Sequence, residues 1–69
     1  MQITLNGEAR TVKDRLTIRD LLIDIQIDPS QKGIAVAINA QIATERDWAS
    51  IRLQAGDQVD IIHAVQGGT

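Results

Sequence analysis

The opening of the chain alternates polar and apolar residues on both sides of one strong turn signal. Over residues 2–6 the alternation places Ile3 and Leu5 on the same side, as in a strand with one buried face. Asn6-Gly7 comes next, and both residue types tolerate the positive φ angles of a tight hairpin turn. Residues 8–12 then return as the partner strand. This pattern predicts a β-hairpin.

Apolar residues in the next segment repeat with the period of a helix. They occupy positions i, i+3, i+4 and i+7 of one helical face, at Ile18, Leu21, Leu22 and Ile25. Thr17 is a suitable N-cap, because its hydroxyl accepts a hydrogen bond from a free backbone N–H group. Asp28-Pro29 is expected to end the helix, since the residue before a proline is driven out of the helical region. Ile23 and Ile27 lie off the apolar face, either exposed or covered by the loop that follows.

Two further extended segments follow the helix. Residues 34–39 are nearly all apolar, which suits an interior strand covered by the helix. A short and less regular stretch covers residues 42–53, and Gly56-Asp57 is a turn signal. Residues 59–65 alternate again, which predicts a last strand that runs directly towards the end of the printed sequence.

The order of the predicted elements is strand, strand, helix, strand, short connection, strand. A hairpin, a helix across it and a returning strand make a mixed sheet with one main helix packed on one face, which is an α+β fold. In this arrangement the last strand lies inside the sheet, parallel to the first. No linker or repeat divides the chain, so residues 1–66 are expected to form one domain and residues 67–69 a flexible tail.

Composition narrows the classes of function. The chain has 69 residues, a net charge of −2, one aromatic residue, Trp48, and no cysteine. There is no basic stretch and no set of aromatic residues for stacking, so nucleic acid is not an expected partner. No apolar run is long enough to cross a bilayer, so a membrane is not expected either. We therefore expect a soluble cytoplasmic protein that holds no metal and no cofactor.

An enzymatic role is not expected. The absence of cysteine removes thiolate metal sites and a cysteine nucleophile together. The sequence also has no nucleophile–base set and no phosphate-binding loop. An independent enzyme is therefore the least expected of the possible functions.

Two consecutive glycines, Gly67 and Gly68, follow the last predicted strand. Because glycine has no Cβ, such a segment is thin and flexible. It can enter a narrow channel on another protein and present a carboxyl group there. Chance, or a remnant of cloning, is the alternative interpretation, and a glycine pair at two given positions arises by chance in roughly 0.5% of chains.

The chain resembles the ThiS family, the sulfur carriers of bacterial thiamine biosynthesis. The similar segments are Met1-Gln2-Ile3 with Asn6, Leu21-Leu22, Ala37-Ile38-Asn39 with Ile42, Trp48-Ala49, Gly56-Asp57 and Ala64-Val65-Gln66-Gly67-Gly68. They cover the whole chain, and the last two are the more specific. The resemblance implies a ubiquitin-like β-grasp fold, which agrees with the predicted order of elements.

The resemblance also implies a protein substrate rather than an enzyme. An adenylyltransferase related to ubiquitin-activating enzymes would convert the Gly68 carboxylate to an acyl adenylate, which supplies the leaving group that a carboxylate lacks. A persulfide sulfur donor on another protein would then replace AMP and leave a thiocarboxylate. Thiazole synthase would take this sulfur for the thiamine thiazole ring. The sulfur must come from outside the chain, because the chain has no cysteine.

Two features depart from the family pattern. The family commonly carries Pro-Arg just before the tryptophan region, whereas here Arg46 stands one position later or the arginine role is absent. Family members normally end on the second glycine, whereas Thr69 follows Gly68 here. Thr69 is expected to be either a precursor residue that a protease removes or an addition to the natural end.

Ile62 marks a candidate docking surface. If Val59 and Ile61 face the helix, then Asp60, Ile62 and Ala64 face the other side of the sheet, which no second helix covers. An exposed Ile62 beside Ala64, close to the tail, then forms an apolar patch with Asp60 at its border. The alternative is a single exposed apolar residue, which is common on protein surfaces.

Two further single residues are expected to have structural roles. His63 has no second metal ligand nearby in the sequence, so an ordinary strand residue is expected, and Trp48 is expected in the core.

A carrier for molybdopterin synthesis would share the fold and the glycine pair. Such carriers often have prolines before the final Val-x-Gly-Gly, where this chain has His63-Ala64. A β-grasp interaction module with an inert tail is the third possibility.

Overall fold

The computed structural model describes residues 1–63, and residues 64–69 lie outside the described part. The described strands are β1 (Gln2–Leu5), β2 (Glu8–Thr11), β3 (Ile34–Ile38), β4 (Gln41–Ala43) and β5 (Gln58–His63). Helix α1 covers Ile18–Asp24, and a 3₁₀ helix covers Glu45–Asp47. The strands form one sheet in the order β2-β1-β5-β3-β4. The predicted α+β arrangement is confirmed, but the prediction of an irregular stretch directly after β3 was wrong, because β4 adds a fifth strand at the edge of the sheet.

The predicted hairpin is also confirmed. β1 and β2 pair antiparallel, with Leu5 opposite Glu8. Asn6 and Gly7 connect them with φ angles of 49° and 84°, in the left-handed region that asparagine and glycine adopt at low cost. The alternation holds as well, because Ile3 is buried in the core while its neighbours in the strand are more exposed.

Helix α1 begins where the sequence predicts. Thr17 is the N-cap residue, and its Oγ1 accepts a hydrogen bond from the Asp20 backbone N–H at 3.0 Å. One of the free N–H groups of the first turn is thereby paired. Ile18, Leu21 and Leu22 point into the core and are completely buried.

The helix ends earlier than predicted, and the expectation of an end at Asp28-Pro29 was wrong. Gln26 has a φ of 66°, its N–H donates to the Ile23 carbonyl at 3.0 Å, and the Ile27 N–H donates to the Leu22 carbonyl at 2.8 Å. This pair of bonds is the Schellman motif, which usually has glycine in the left-handed position. A glutamine there gives no stop signal in the sequence. The reversal returns Ile27 to the core and leaves Ile23 exposed.

Asp28 and Pro29 belong instead to the loop between α1 and β3. The Asp28 carboxylate accepts hydrogen bonds from the Ser30 hydroxyl at 2.7 Å and the Ser30 N–H at 2.9 Å. These two bonds hold the pKa of Asp28 below its ordinary value, because they favour the charged form. The carboxylate therefore orders the start of this loop rather than the end of the helix.

Strand β5 lies in the middle of the sheet. It pairs parallel to β1 and antiparallel to β3, as expected for a mixed sheet in which the last strand lies beside the first. The helix covers one face of this sheet and shares a core with it. The core residues are Ile3, Val12, Ile18, Leu21, Leu22, Val36, Ala43, Trp48, Leu53, Val59 and Ile61.

Trp48 closes this core beside β4, as the sequence predicts. Its indole Nε1–H donates to the Ala43 carbonyl at 2.9 Å, which gives a buried tryptophan the partner that its N–H group requires. Arg46 lies two residues earlier, in the 3₁₀ helix, and is exposed. Within residues 1–63, no helix is long and apolar enough to span a bilayer.

Candidate functional site on the open face of the sheet

Side chains of β5 alternate between the two faces of the sheet. Val59 and Ile61 point towards α1 and are only 0% and 9% exposed. Ile62, the next residue, is 65% exposed, although it lies in a central strand. Successive strand residues point to opposite faces, so Asp60 and Ile62 lie on the face that α1 does not cover. We call this face the open face.

The strand register extends the apolar surface beyond Ile62. On β3, Ala35 lies opposite Ile62 and Ala37 lies opposite Asp60. Ile42 on β4 lies opposite Ala37 and is 73% exposed. Residues that face each other across neighbouring strands share a face of the sheet. These five residues, Ile62, Asp60, Ala35, Ala37 and Ile42, form the open-face patch.

The shape of the patch suits a protein partner. Ile62 and Ile42 are two strands apart, about 10 Å across the sheet, and the small side chains of Ala35 and Ala37 lie between them. Two large apolar groups thus border a shallow floor, which a complementary surface can cover. Exposed apolar groups of this kind, when clustered, mark interaction surfaces more often than isolated ones do.

Asp60 is the one charged side chain that β1, β3, β4 and β5 place on the open face. The ion pairs within residues 1–63 join Met1 to Asp14 and Arg10 to Asp24, so neither uses Asp60. The Asp60 carboxylate therefore makes no ion pair within residues 1–63. In the same part of the chain, no group of three acidic, histidine or cysteine side chains could hold a metal ion.

The sequence prediction located part of this site. Ile62 and Asp60 lie on the open face as expected, and His63 is exposed at the end of β5. Ala64, Gly67 and Gly68 lie outside the described residues. Sequence reasoning missed Ile42. Alternation over Gln41, Ile42 and Ala43 is the only local signal for it, and three residues are too few to establish a strand.

Comparison with known proteins identifies a family. A family model described as the ThiS family matches residues 3–68. The sulfur carrier protein ThiS of Escherichia coli is 38% identical over 68 residues, which are 99% of this chain and 100% of that protein. Both similarities run through β5 and the glycine pair that follows it.

Two longer relatives contain a region similar to this chain. The thiazole synthase of Paramagnetospirillum magneticum is 28% identical over 69 residues, which are 100% of this chain and 21% of that protein. The thiazole synthase of Magnetococcus marinus is 29% identical over 68 residues, which are 99% of this chain and 20% of that protein. The chain thus spans about a fifth of the length of these two proteins.

Solved structures share the fold. The crystal structure of the thiamine biosynthesis protein ThiS from Geobacter metallireducens has a TM-score of 0.82 and 23% identity, and covers 99% of this chain and 100% of that one. The solution structure of a thiamine biosynthesis protein from the same organism has a TM-score of 0.81 and 22% identity, and covers 100% of this chain and 90% of that one. These likenesses confirm the β-grasp fold.

Proposed function

The chain belongs to the ThiS family of sulfur carriers in thiamine biosynthesis, and we propose that the carboxylate of Gly68 is the group that carries the sulfur. The observation that supports this choice is the placement of Gly67-Gly68 just after the central strand of the sheet, within the range matched by the family model. A glycine pair lets the terminus enter a partner's active site without side-chain hindrance.

Simple acyl chemistry gives the steps. Hydrolysis of the peptide bond between Gly68 and Thr69 first frees the Gly68 carboxylate. A carboxylate is a poor electrophile, so one of its oxygens attacks the α-phosphorus of ATP, and pyrophosphate leaves. A persulfide sulfur then attacks the acyl carbon, and AMP leaves. A thiol cleaves the resulting acyl disulfide and frees the thiocarboxylate. The chain has no cysteine, so the persulfide and the thiol must both come from outside the chain. The chain itself is the substrate of these steps and not their catalyst.

The open-face patch is the proposed docking surface for the adenylyltransferase. Ile62 and Ile42 are the most exposed large apolar residues of the described chain, and both lie on the face that α1 leaves uncovered. Asp60 adds one negative charge, which a basic residue of the enzyme would neutralise. Ala64 continues the alternation of β5 in the sequence, and we include it in the same surface.

Thiazole synthase is the proposed acceptor of the sulfur. Two proteins of that name include a region similar to this whole chain, and fusion of a carrier to its acceptor keeps the thiocarboxylate near the site that consumes it. The persulfide donor and the cytoplasmic location stay predictions.

Mass spectrometry after incubation with an adenylyltransferase, ATP and a persulfide donor tests the proposal. In the printed sequence the Gly68 carboxyl group is bound in a peptide bond to Thr69, so two chains are compared, one ending at Thr69 and one ending at Gly68. The shorter chain should gain the mass of one oxygen replaced by sulfur, and the longer chain should not. A thiocarboxylate on the chain that still carries Thr69 would contradict the assignment of Gly68. No conversion of either chain would favour an inert interaction module.

A further inference from the structure

The hydrogen-bond ladder between β1 and β5 continues past the end of β1 through a side chain. The Asn6 N–H donates to the Val59 carbonyl at 2.9 Å. Ile61, the next residue of β5 with its N–H directed towards β1, donates to Asn6 Oδ1 at 2.8 Å. β1 ends at Leu5, because the chain turns at Asn6. The amide oxygen of Asn6 thus replaces the backbone acceptor that a longer β1 would have supplied.

Asn39 makes the corresponding contact at the opposite end of β5. It also has a positive φ, of 51°, in the turn between β3 and β4. Its Oδ1 accepts from the Gln58 N–H at 2.9 Å, and its own N–H donates to the Gln58 carbonyl at 2.7 Å. Asparagine side chains therefore hold both ends of β5, but only Asn6 holds the end that leads to Gly67-Gly68.

We propose that Asn6 is a positioning residue for the adenylation of Gly68, because it fixes the end of β5 from which the chain continues to Gly68. This inference rests on the proposed function. Ile61 precedes Gly68 by seven residues, which span at most about 25 Å when extended. A carrier terminus must place its carboxylate accurately in a partner's active site, where a shift of about 1 Å can lower a rate by about a hundredfold. An anchored strand end restricts where that carboxylate can lie.

The fold does not depend on this contact alone. β5 remains paired with β3 as far as His63 opposite Ile34, and glycine meets the positive φ of residue 6 without strain. Asn6→Gly therefore removes the acceptor while it keeps the turn. Asn6→Asp keeps an acceptor oxygen at this position, and aspartate tolerates the left-handed region as asparagine does.

Three variants test the role in the chain that ends at Gly68: Asn6→Gly, Asn6→Asp and Asn39→Gly. Hydrogen exchange of the Ile61 amide reports the contact directly, and steady-state kinetics with the adenylyltransferase reports kcat and KM for the carrier. We expect Asn6→Gly to expose the Ile61 amide and to lower kcat by about tenfold to a hundredfold, with KM little changed because the open-face patch is intact. Asn6→Asp should keep the Ile61 amide protected and kcat close to that of the unchanged chain. Asn39→Gly should also have a kcat close to that of the unchanged chain.

Three results would overturn the role of Asn6. An unchanged kcat in Asn6→Gly, with the Ile61 amide exposed, would show that the anchor does not affect transfer, while the carrier function would stand. An equal fall of kcat in Asn39→Gly would show general loosening of β5. Failure of Asn6→Gly to fold, while Asn39→Gly folds, would make Asn6 a folding residue. If the unchanged chain ending at Gly68 is not adenylated, the proposed function itself fails, and this inference fails with it.

Discussion

Replacement of Ile62 by aspartate tests the proposed docking surface most directly. Ile62 is 65% exposed in the isolated domain, on the open face and beside Ala35. The substitution removes one of the two large apolar side chains of the open-face patch and places a second carboxylate two residues from Asp60. It does not touch the core, since the core residues of β5 are Val59 and Ile61.

The expected effects on binding and on folding differ in size. Complete burial of an isoleucine is worth about 1.5–3 kcal/mol, and docking would bury the roughly two thirds that is exposed, so about 1–2 kcal/mol of binding energy is lost. Desolvation of the new carboxylate adds a further cost. Together these should raise Kd at least about tenfold, for which 1.4 kcal/mol suffices. The loss in unfolding free energy should stay near or below about 1 kcal/mol, the span of strand propensities.

Calorimetric titration against the adenylyltransferase measures the change in Kd, and thermal melting measures the change in stability of the domain. Ile23→Asp is the matched control, because Ile23 is 53% exposed on α1, which covers the other face of the sheet. The control should bind the adenylyltransferase with unchanged affinity, as long as it is folded at the temperature of the titration. Ile42→Asp should weaken binding like Ile62→Asp if the patch extends across β3.

Unchanged affinity for Ile62→Asp, in a domain that melts normally, would refute docking through the open face. Normal affinity with severe destabilisation would show instead that Ile62 is a core residue. A loss of affinity in Ile23→Asp as large as that in Ile62→Asp would indicate that added negative charge, and not the patch, determines the effect. Repeating the titrations at higher salt separates these cases, because screening weakens exposed charge effects but not apolar contact.

Three further predictions concern the tail and the core. Gly67→Ala and Gly68→Ala should each change the unfolding free energy by less than about 0.5 kcal/mol yet greatly reduce thiocarboxylate formation, and a clear fall in melting temperature would show that the glycines are structural. Thr17→Ala removes the N-cap and should cost about 1 kcal/mol, or about 4–8 °C in melting temperature, whereas Thr17→Ser should stay close to the unchanged chain. Trp48→Phe leaves the Ala43 carbonyl without its indole donor and should cost about 1–3 kcal/mol in urea unfolding; no loss would mean that water replaces the bond.

Local chemistry was enough to predict much of this fold. Three features depend on a few neighbouring residues whose conformational preferences are similar in most proteins. They are the turn at Asn6-Gly7, the cap at Thr17 and the alternation of β5. The hairpin, the start of α1 and the exposure of Ile62 could therefore be predicted correctly. The end of α1 could not, because Gln26 adopts a left-handed conformation that its residue type does not favour.

By itself the sequence determined the hairpin, the start of α1, the strands β3 and β5, the aliphatic core and the glycine pair after β5, but not the strand β4. Only the tertiary structure decided which distant residues meet. Ile42 joins Ile62 in one patch because β3 pairs with both β4 and β5, and Asn6 reaches the Ile61 amide across a separation of 55 residues. Such contacts depend on the register between paired strands, because a slip of one residue would turn every side chain of a strand to the other face of the sheet.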